Sequence, residues 1–540
     1  MFYEVAVLWL SLSEKTILLR KTRPNFPKKE AFACVKAMVI FMKRFLGVLG
    51  LKYNKDVLWH NLVLCLALVL CLVVCLGAVR NADGKNFTDP LPNNYMQFQQ
   101  YALQFSAFLN GSIALEAEPT PRLEELDNPY DTAERKEAGL NYYSNETENS
   151  YLWDIAYYDG QYFSYFGIAP ILTVYYPVNL LTGMIPGTNL VCIILSLLAI
   201  VFMGLAYREL LIRFAPNANL FLAAIGLIGV IWASGVYVGL SYSDNYYIAV
   251  LSAMEWSMAS IFFGFLAMRV NKTLTRSILL AACAISLTLT VWSRPTVAVM
   301  CLILVPVFLE FALKTRKDNL LSQLIPIGSF FAVLAVGAGL VMWYNNVRFD
   351  SPFEFGSIYQ LTVNDISTNK ISFSLFIPAM GAYFLQPASY TENFPHIGTT
   401  SFKGFGIPAE RYVYYAKTVG AFLFALPFGV FDSGVYVRSK GNITRTCSYI
   451  LIILLSVFTA FSDFCLGGVN MRYLFDFLPL ISMFGAVAIL DTQSETKGGV
   501  KAFPSILLVL ACTAAVFVTY GIIKCNTKDI LFGIVPPVIK

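Results

Sequence analysis

The side chains available for chemistry in this sequence are carboxylates and arginines. Only His60 and His396 occur among 540 residues, which disfavours a histidine-built metal site or a serine–histidine pair. Asp154 stands in WDIAYY, Asp159 in YYDGQY, and Asp89 earlier, in NFTDPLP. A carboxylate held beside a hydroxyl acts as a general base. Asp154 is the first choice for that role, with Asp89 and then Asp83 as alternatives. Asp159, followed by glycine, fits a turn aspartate as well as a binding residue. Arg294 (in Ser293-Arg294-Pro295), Arg472 beside Tyr473, and Arg348 carry planar forks of donors that suit phosphate oxygens. Each candidate also has a plainer reading. Asp154 can cap a helix, Arg294 can anchor a turn by snorkelling, and Arg472 can pair with Asp476 four residues on. Glu255, inside LSAMEWSMAS, needs a partner within an apolar stretch, and the neighbouring serines are the nearest. Glu310 is expected to reach water at the cytoplasmic end of its span.

These residues are positioned by membrane-spanning helices. The chain is 57% hydrophobic and 14% charged, where a soluble protein carries about 25% charged residues. Apolar runs of about 20 residues, each long enough to span a bilayer, recur at 57–79, 188–207, 218–240, 246–268, 277–292, 295–313, 324–343, 418–436, 446–463, 473–490 and 503–523. Segment 166–184 is apolar too, but Pro170, Pro177 and Gly183 interrupt it. If it lies along the surface, thirteen Lys and Arg residues in short loops between Arg208 and Lys501 are all cytoplasmic. If it spans, they all move outside, so the positive-inside rule selects the interfacial reading. The expected fold is an all-α integral membrane protein of about eleven transmembrane helices. A basic cytoplasmic segment with an interfacial helix, 1–56, precedes the transmembrane domain 57–523, and an extracytoplasmic tail, 524–540, follows it. Two long extracytoplasmic loops, 80–187 and 344–417, carry short interfacial helices. The first loop has fourteen acids against five basic residues between Arg80 and Tyr165.

Within that loop YALQFSAFLNGSIALEAEP, LDNPYD and WDIAYYDGQYFSYFGIAPILTVYYPVNLLTG follow in order. The arrangement resembles bacterial members of the GT-C superfamily, polytopic glycosyltransferases that use polyprenyl-phosphate sugars. It is also similar to the broader group holding protein O-mannosyltransferases and aminoarabinose transferases. YNNVRFDSPFEFGSIYQLT and GGVNMRYLFDFLPL resemble later segments of that group. The resemblance implies a multi-pass protein of the bacterial cell membrane that transfers a hexose or pentose. Its donor would be a polyprenyl-phosphate sugar, and its acceptor a cell-envelope glycan, lipid or protein. The leaving lipid phosphate is already a stable anion, so it needs a cation or hydrogen-bond donors rather than a strong acid. Asp154 would be the base, and Arg294, Arg472, Tyr473, Arg348 and Asp159 would contact the donor phosphate or substrate. One departure stands out: where the group commonly has an acid after the first span, this chain reads LPNNYMQFQQYA, with Asn93 and Asn94.

Other classes fit less well. No glycine-rich phosphate loop, zinc-ligand spacing or nucleotide fingerprint is present. The net charge of +5 is set by topology rather than by a nucleic-acid surface. No cofactor is demanded, although acidic loops are compatible with a divalent cation. A transporter or flippase for envelope lipids or glycans is the second reading, and would place its ionisable residues at mid-membrane in paired repeats. An inactive scaffold is the third.

Overall fold

The computed structural model describes residues 55–80, 100–142, 149–314, 320–402, 404, 406–408, 411–438 and 442–533. Asp83, Asp89, Asn93, Asn94 and almost all of the basic segment 1–56 lie outside the described residues.

The protein is mostly helical, and among the described residues nine helices are long and apolar enough to cross a membrane. The chain opens with α1 (Lys55–Arg80), followed by the short helices α2 (Gln100–Leu109) and α3 (Ile171–Thr182). The first six spans are α4 (Thr188–Phe214), α5 (Leu220–Tyr242), α6 (Asn245–Arg269), α7 (Thr273–Val291), α8 (Pro295–Leu313) and α9 (Leu320–Phe349). The last three are α10 (Ile443–Gly467), α11 (Met471–Glu495) and α12 (Ala502–Gly533). At 12 residues α3 is about 18 Å long, too short to cross the hydrocarbon. Leu180 and Leu181 on it are exposed, as expected of a helix lying along an interface.

Two expectations change. The span expected at 418–436 is not a continuous helix but two 3₁₀ segments, Ala421–Phe424 and Leu426–Phe431, followed by Ser433–Arg438. Pro427 interrupts the helical ladder, and the segment lies directly against α11. A Cβ on Gly485 would come within 2.0 Å of the Leu426 carbonyl, so the two backbones touch where no side chain fits. α12 continues as helix to Gly533, into the tail expected from residue 524, since no proline or glycine intervenes to stop it. Finally, α9 extends to Phe349, so Arg348 closes a helix rather than opening a loop. The loops also carry three small two-stranded antiparallel sheets alongside their short helices.

Burial separates central from peripheral helices. In the most apolar stretch of α11, 94% of residues are buried, and in α6 83%, against 22% in α9. Small residues on α6 allow close packing: Ser260 donates to the Cys283 carbonyl of α7, and a Cβ at Gly264 would strike Leu304 of α8.

The two long loops fold on each other. Leu361 of the second loop joins a small core with Leu115, Leu123, Tyr151, Ile155 and Tyr162 of the first. Arg135, fully buried, donates to the carbonyls of Pro129 and Thr362, both at 2.6 Å, and so ties the loops together. Asn128 Nδ2 adds a 3.0 Å bond to Asp365 Oδ2. Burial opposes ionisation of Asp365, but the hydrogen bonds from Ser367 and Asn128 outweigh it and hold the carboxyl below its ordinary value. The junction therefore gains from this group above the usual carboxylate range, and loses it as pH falls through the depressed value.

Candidate active site

Asp154 lies between the first-loop core and strand β1 (Ala156–Tyr158), which pairs with β2 (Gln161–Phe163). Its φ is 57°, a left-handed conformation that aspartate tolerates better than most side chains. Three parts of the chain hold it there. Its N–H donates to the Leu361 carbonyl at 2.9 Å, and Leu361 returns a 3.0 Å bond to Ile155. Gln100 Nε2, from α2, donates to the Asp154 carbonyl at 2.8 Å. The buried side chain then receives two phenols on one oxygen: Tyr165 at 3.1 Å and Tyr246, both to Oδ2. Oδ1 makes no hydrogen bond among the described residues. Burial, and the Asp154 carboxylate next to it, push the Tyr165 phenol well above its ordinary value, so it remains a donor.

Tyr246 comes from the first turn of α6, which Asp244 caps by accepting from the Tyr247 N–H at 2.9 Å. The face of its ring carries Arg472, whose Cζ is 4.0 Å from the ring centroid. Arg472 also lies 5.1 Å from the Tyr473 ring and donates to the Tyr473 hydroxyl at 3.3 Å. It makes no ion pair with a carboxylate among the described residues. Arg294 also approaches Tyr473, 5.3 Å from its ring. Arg294 is paired: Nη2 donates to Asp476 Oδ2 at 2.6 Å and Nε at 3.1 Å, and Thr296 Oγ1 joins the same oxygen at 3.0 Å. Asp463 is buried nearby. Burial works against the Arg294 charge, but Asp476 and Asp463 outweigh it and raise its affinity for the proton.

The expected pairing of Asp476 with Arg472 does not form. The helical turn Met471–Leu474 ends at Phe475, and Phe477 leaves helical geometry before α11 resumes at Leu478. Without a continuous helix the four-residue spacing no longer brings these side chains together, and Asp476 turns to Arg294 instead. The turn ahead of Arg472 is itself braced. Asn470 caps it, and Tyr383 donates to the Gly468 carbonyl at 2.7 Å.

Arg294 is set by the interfacial segment. Ala169 N–H donates to the Trp292 carbonyl at 3.1 Å, and Gly167 lies so close that a Cβ there would be 1.7 Å from the same oxygen. Gly167→Ala is therefore expected to displace the 292–295 turn and lower stability by about 1–3 kcal/mol. The measurement is the thermal unfolding midpoint of the purified protein, and an unchanged midpoint would mean that the contact does not hold the turn.

The structure gathers Asp154, Arg472, Tyr473 and Arg294 into one connected set through Tyr246. Arg348 stands apart from it. Buried, it donates to the Ser164 carbonyl at 2.7 Å and to Asn345 Oδ1 at 2.8 Å, clamping the end of α9 to the strand region. Asp159 occupies the exposed two-residue turn of the β1–β2 hairpin, with φ 48° and with Gly160 also left-handed, as its turn reading expects. Glu255 Oε2 is buried without a hydrogen-bond partner among the described residues. The serines expected to serve it bond elsewhere, Ser252 to Ser293 and Ser257 to the Met254 carbonyl. Glu310 pairs with Arg213 rather than reaching water alone. Among the described residues no group of three or more His, Cys, Asp and Glu is arranged to hold a metal ion.

Sequence reasoning missed Tyr246, Thr296 and Asp463. The signal for Tyr246 was SDNYY at the head of an apolar span, a cap followed by aromatic residues. Tyrosines at membrane interfaces are so common that the pattern does not single it out.

No family model and no curated protein matches this chain. Among solved structures, it is similar to the archaeal oligosaccharyltransferase AglB from Archaeoglobus fulgidus, in complex with an inhibitory peptide and a dolichol-phosphate. The identity is 13% and the TM-score 0.39, over 87% of this chain and 56% of that one. The chain thus spans little more than half of that protein's length. The functional reading rests on the site residues.

Proposed function

We propose that this protein is a membrane glycosyltransferase working at the extracytoplasmic face of the cell membrane. It moves a sugar from a polyprenyl-phosphate donor to a hydroxyl of a cell-envelope glycan, lipid or protein. Asp154 Oδ1 takes the proton of the acceptor hydroxyl as its oxygen attacks the anomeric carbon. The bond from that carbon to the phosphate oxygen breaks, and the lipid phosphate leaves with the bonding electrons, met by Arg472 and the Tyr473 hydroxyl. Arg294, neutralised by Asp476, keeps Tyr473 in place. Asp89 remains the alternative base. Arg348 and Asp159 serve the site from further out, Arg348 by bracing the strands next to Asp154.

One observation carries this reading. Among the described residues, a carboxylate with an unbonded oxygen and a guanidinium with no acidic partner lie on the same tyrosine, one on its hydroxyl and one on its face. An unpaired, half-buried arginine is costly until an anion meets it. A transporter or flippase is the second reading, which Glu255 favours as a carboxyl buried inside a span with Oε2 unpartnered among the described residues.

Purified protein given radiolabelled polyprenyl-phosphate sugars and envelope acceptors tests the first reading. Covalent transfer supports it, whereas vesicle uptake without transfer supports the second. The proposed orientation is tested by a single cysteine introduced near residue 154. Labelling of intact cells by an impermeant reagent is expected, and labelling only after permeabilisation would overturn the orientation.

A further inference from the structure

Tyr246 touches both halves of the site, and no other described side chain does so in the same way. Tyr165 also donates to Asp154 Oδ2, but it lies on the loop side and does not carry the Arg472 guanidinium on its ring. Tyr473 carries both arginines but makes no bond to Asp154. Tyr246 is also firmly anchored. It stands in the capped first turn of α6, one of the two most buried spans, and Phe166 of the interfacial segment meets its ring edge-on at 5.7 Å.

These contacts have unequal chemical consequences. The hydroxyl, together with that of Tyr165, occupies Oδ2 and leaves Oδ1 as the oxygen that can accept a proton. The carboxylate is thereby prevented from rotating between equivalent positions. The ring face, in contrast, attracts the Arg472 cation through its quadrupole and holds it in a fixed plane without consuming any of its donors. A carboxylate in the same place would neutralise the arginine and compete with an incoming phosphate.

We infer that Tyr246 is a positioning residue that aligns the base and the phosphate-binding arginine with one side chain, through two separable contacts. This rests on the glycosyltransferase reading given above. The hydroxyl sets the direction of Asp154 Oδ1 toward the acceptor, and so acts on turnover. The ring sets the plane of Arg472 toward the donor phosphate, and so acts on donor affinity.

Steady-state transfer by purified variants separates the two. Tyr246→Phe keeps the ring and removes the hydroxyl, and kcat is expected to fall about 10- to 100-fold with the donor KM within about twofold of wild type. Tyr246→Leu removes both, and should raise the donor KM about three- to tenfold as well. Tyr165→Phe should lower kcat and leave the donor KM unchanged. Thermal midpoints measured on the same preparations identify any variant that is merely misfolded, and the Phe variants, which fill the same volume, keep the test open if the Leu variant is lost. Equal rises in KM for Tyr246→Phe and Tyr246→Leu, or an unchanged kcat for Tyr246→Phe, overturn the inference while leaving the transferase intact. No transfer by the wild type overturns both.

Discussion

Asp154→Asn is expected to reduce sugar transfer by about 10²- to 10⁴-fold with the protein still folded. Asparagine has nearly the same shape, and it shares with aspartate the tolerance for left-handed backbone that φ of 57° requires. The backbone bonds to Leu361 and Gln100 involve no side-chain atom of residue 154, so they survive the change. The amide oxygen can still accept from Tyr165 and Tyr246. What is lost is an oxygen able to take a proton from the acceptor, because the remaining position becomes an NH₂ donor. The paired measurement is the transfer rate and the thermal midpoint on one preparation. A rate within a few-fold of wild type would remove Asp154 from the chemistry and return attention to Asp89.

Arg294→Leu is expected to cost about 3–5 kcal/mol of stability, and Arg294→Leu combined with Asp476→Leu to recover most of it. Asp476 has a side chain with no exposure, and Arg294 supplies two of the three donors to its Oδ2. Removing the guanidinium alone leaves a buried carboxyl with Thr296 and a second buried acid, Asp463, and no cation among the described residues. Removing both charges takes away the penalty together with the attraction. Unfolding of the single and double variants in the same detergent measures the coupling. Additive losses would show that the two side chains act independently, and that Arg294 does not depend on Asp476. The arginine that remains, Arg472, should still bind an anion in the double variant, because its support comes from the rings of Tyr246 and Tyr473.

Much of this arrangement was legible from residue order, for a physical reason. A span is a local property: about 20 apolar residues declare themselves without reference to the rest of the chain. The break at Ser293-Arg294-Pro295 was likewise local, since proline and arginine together stop a buried helix. Two features misled. The run 418–436 is apolar for most of its length, but it winds as short 3₁₀ segments interrupted at Pro427 and packed closely against Gly485. The Arg472–Asp476 spacing fits a helix, but the helix is interrupted between them.

The sequence by itself determined the class of protein, the polar loops and the small set of acids and arginines from which a site could be made. It did so because hydropathy and charge are summed along the chain. Only the tertiary structure decided which of them meet. Arg348 and Arg472 are equally plausible as text, yet one is spent on carbonyl and amide oxygens and the other has no acidic partner among the described residues. That choice depends on Tyr246, 92 positions from Asp154 in the chain and brought to it by the packing of α6 beneath the two loops.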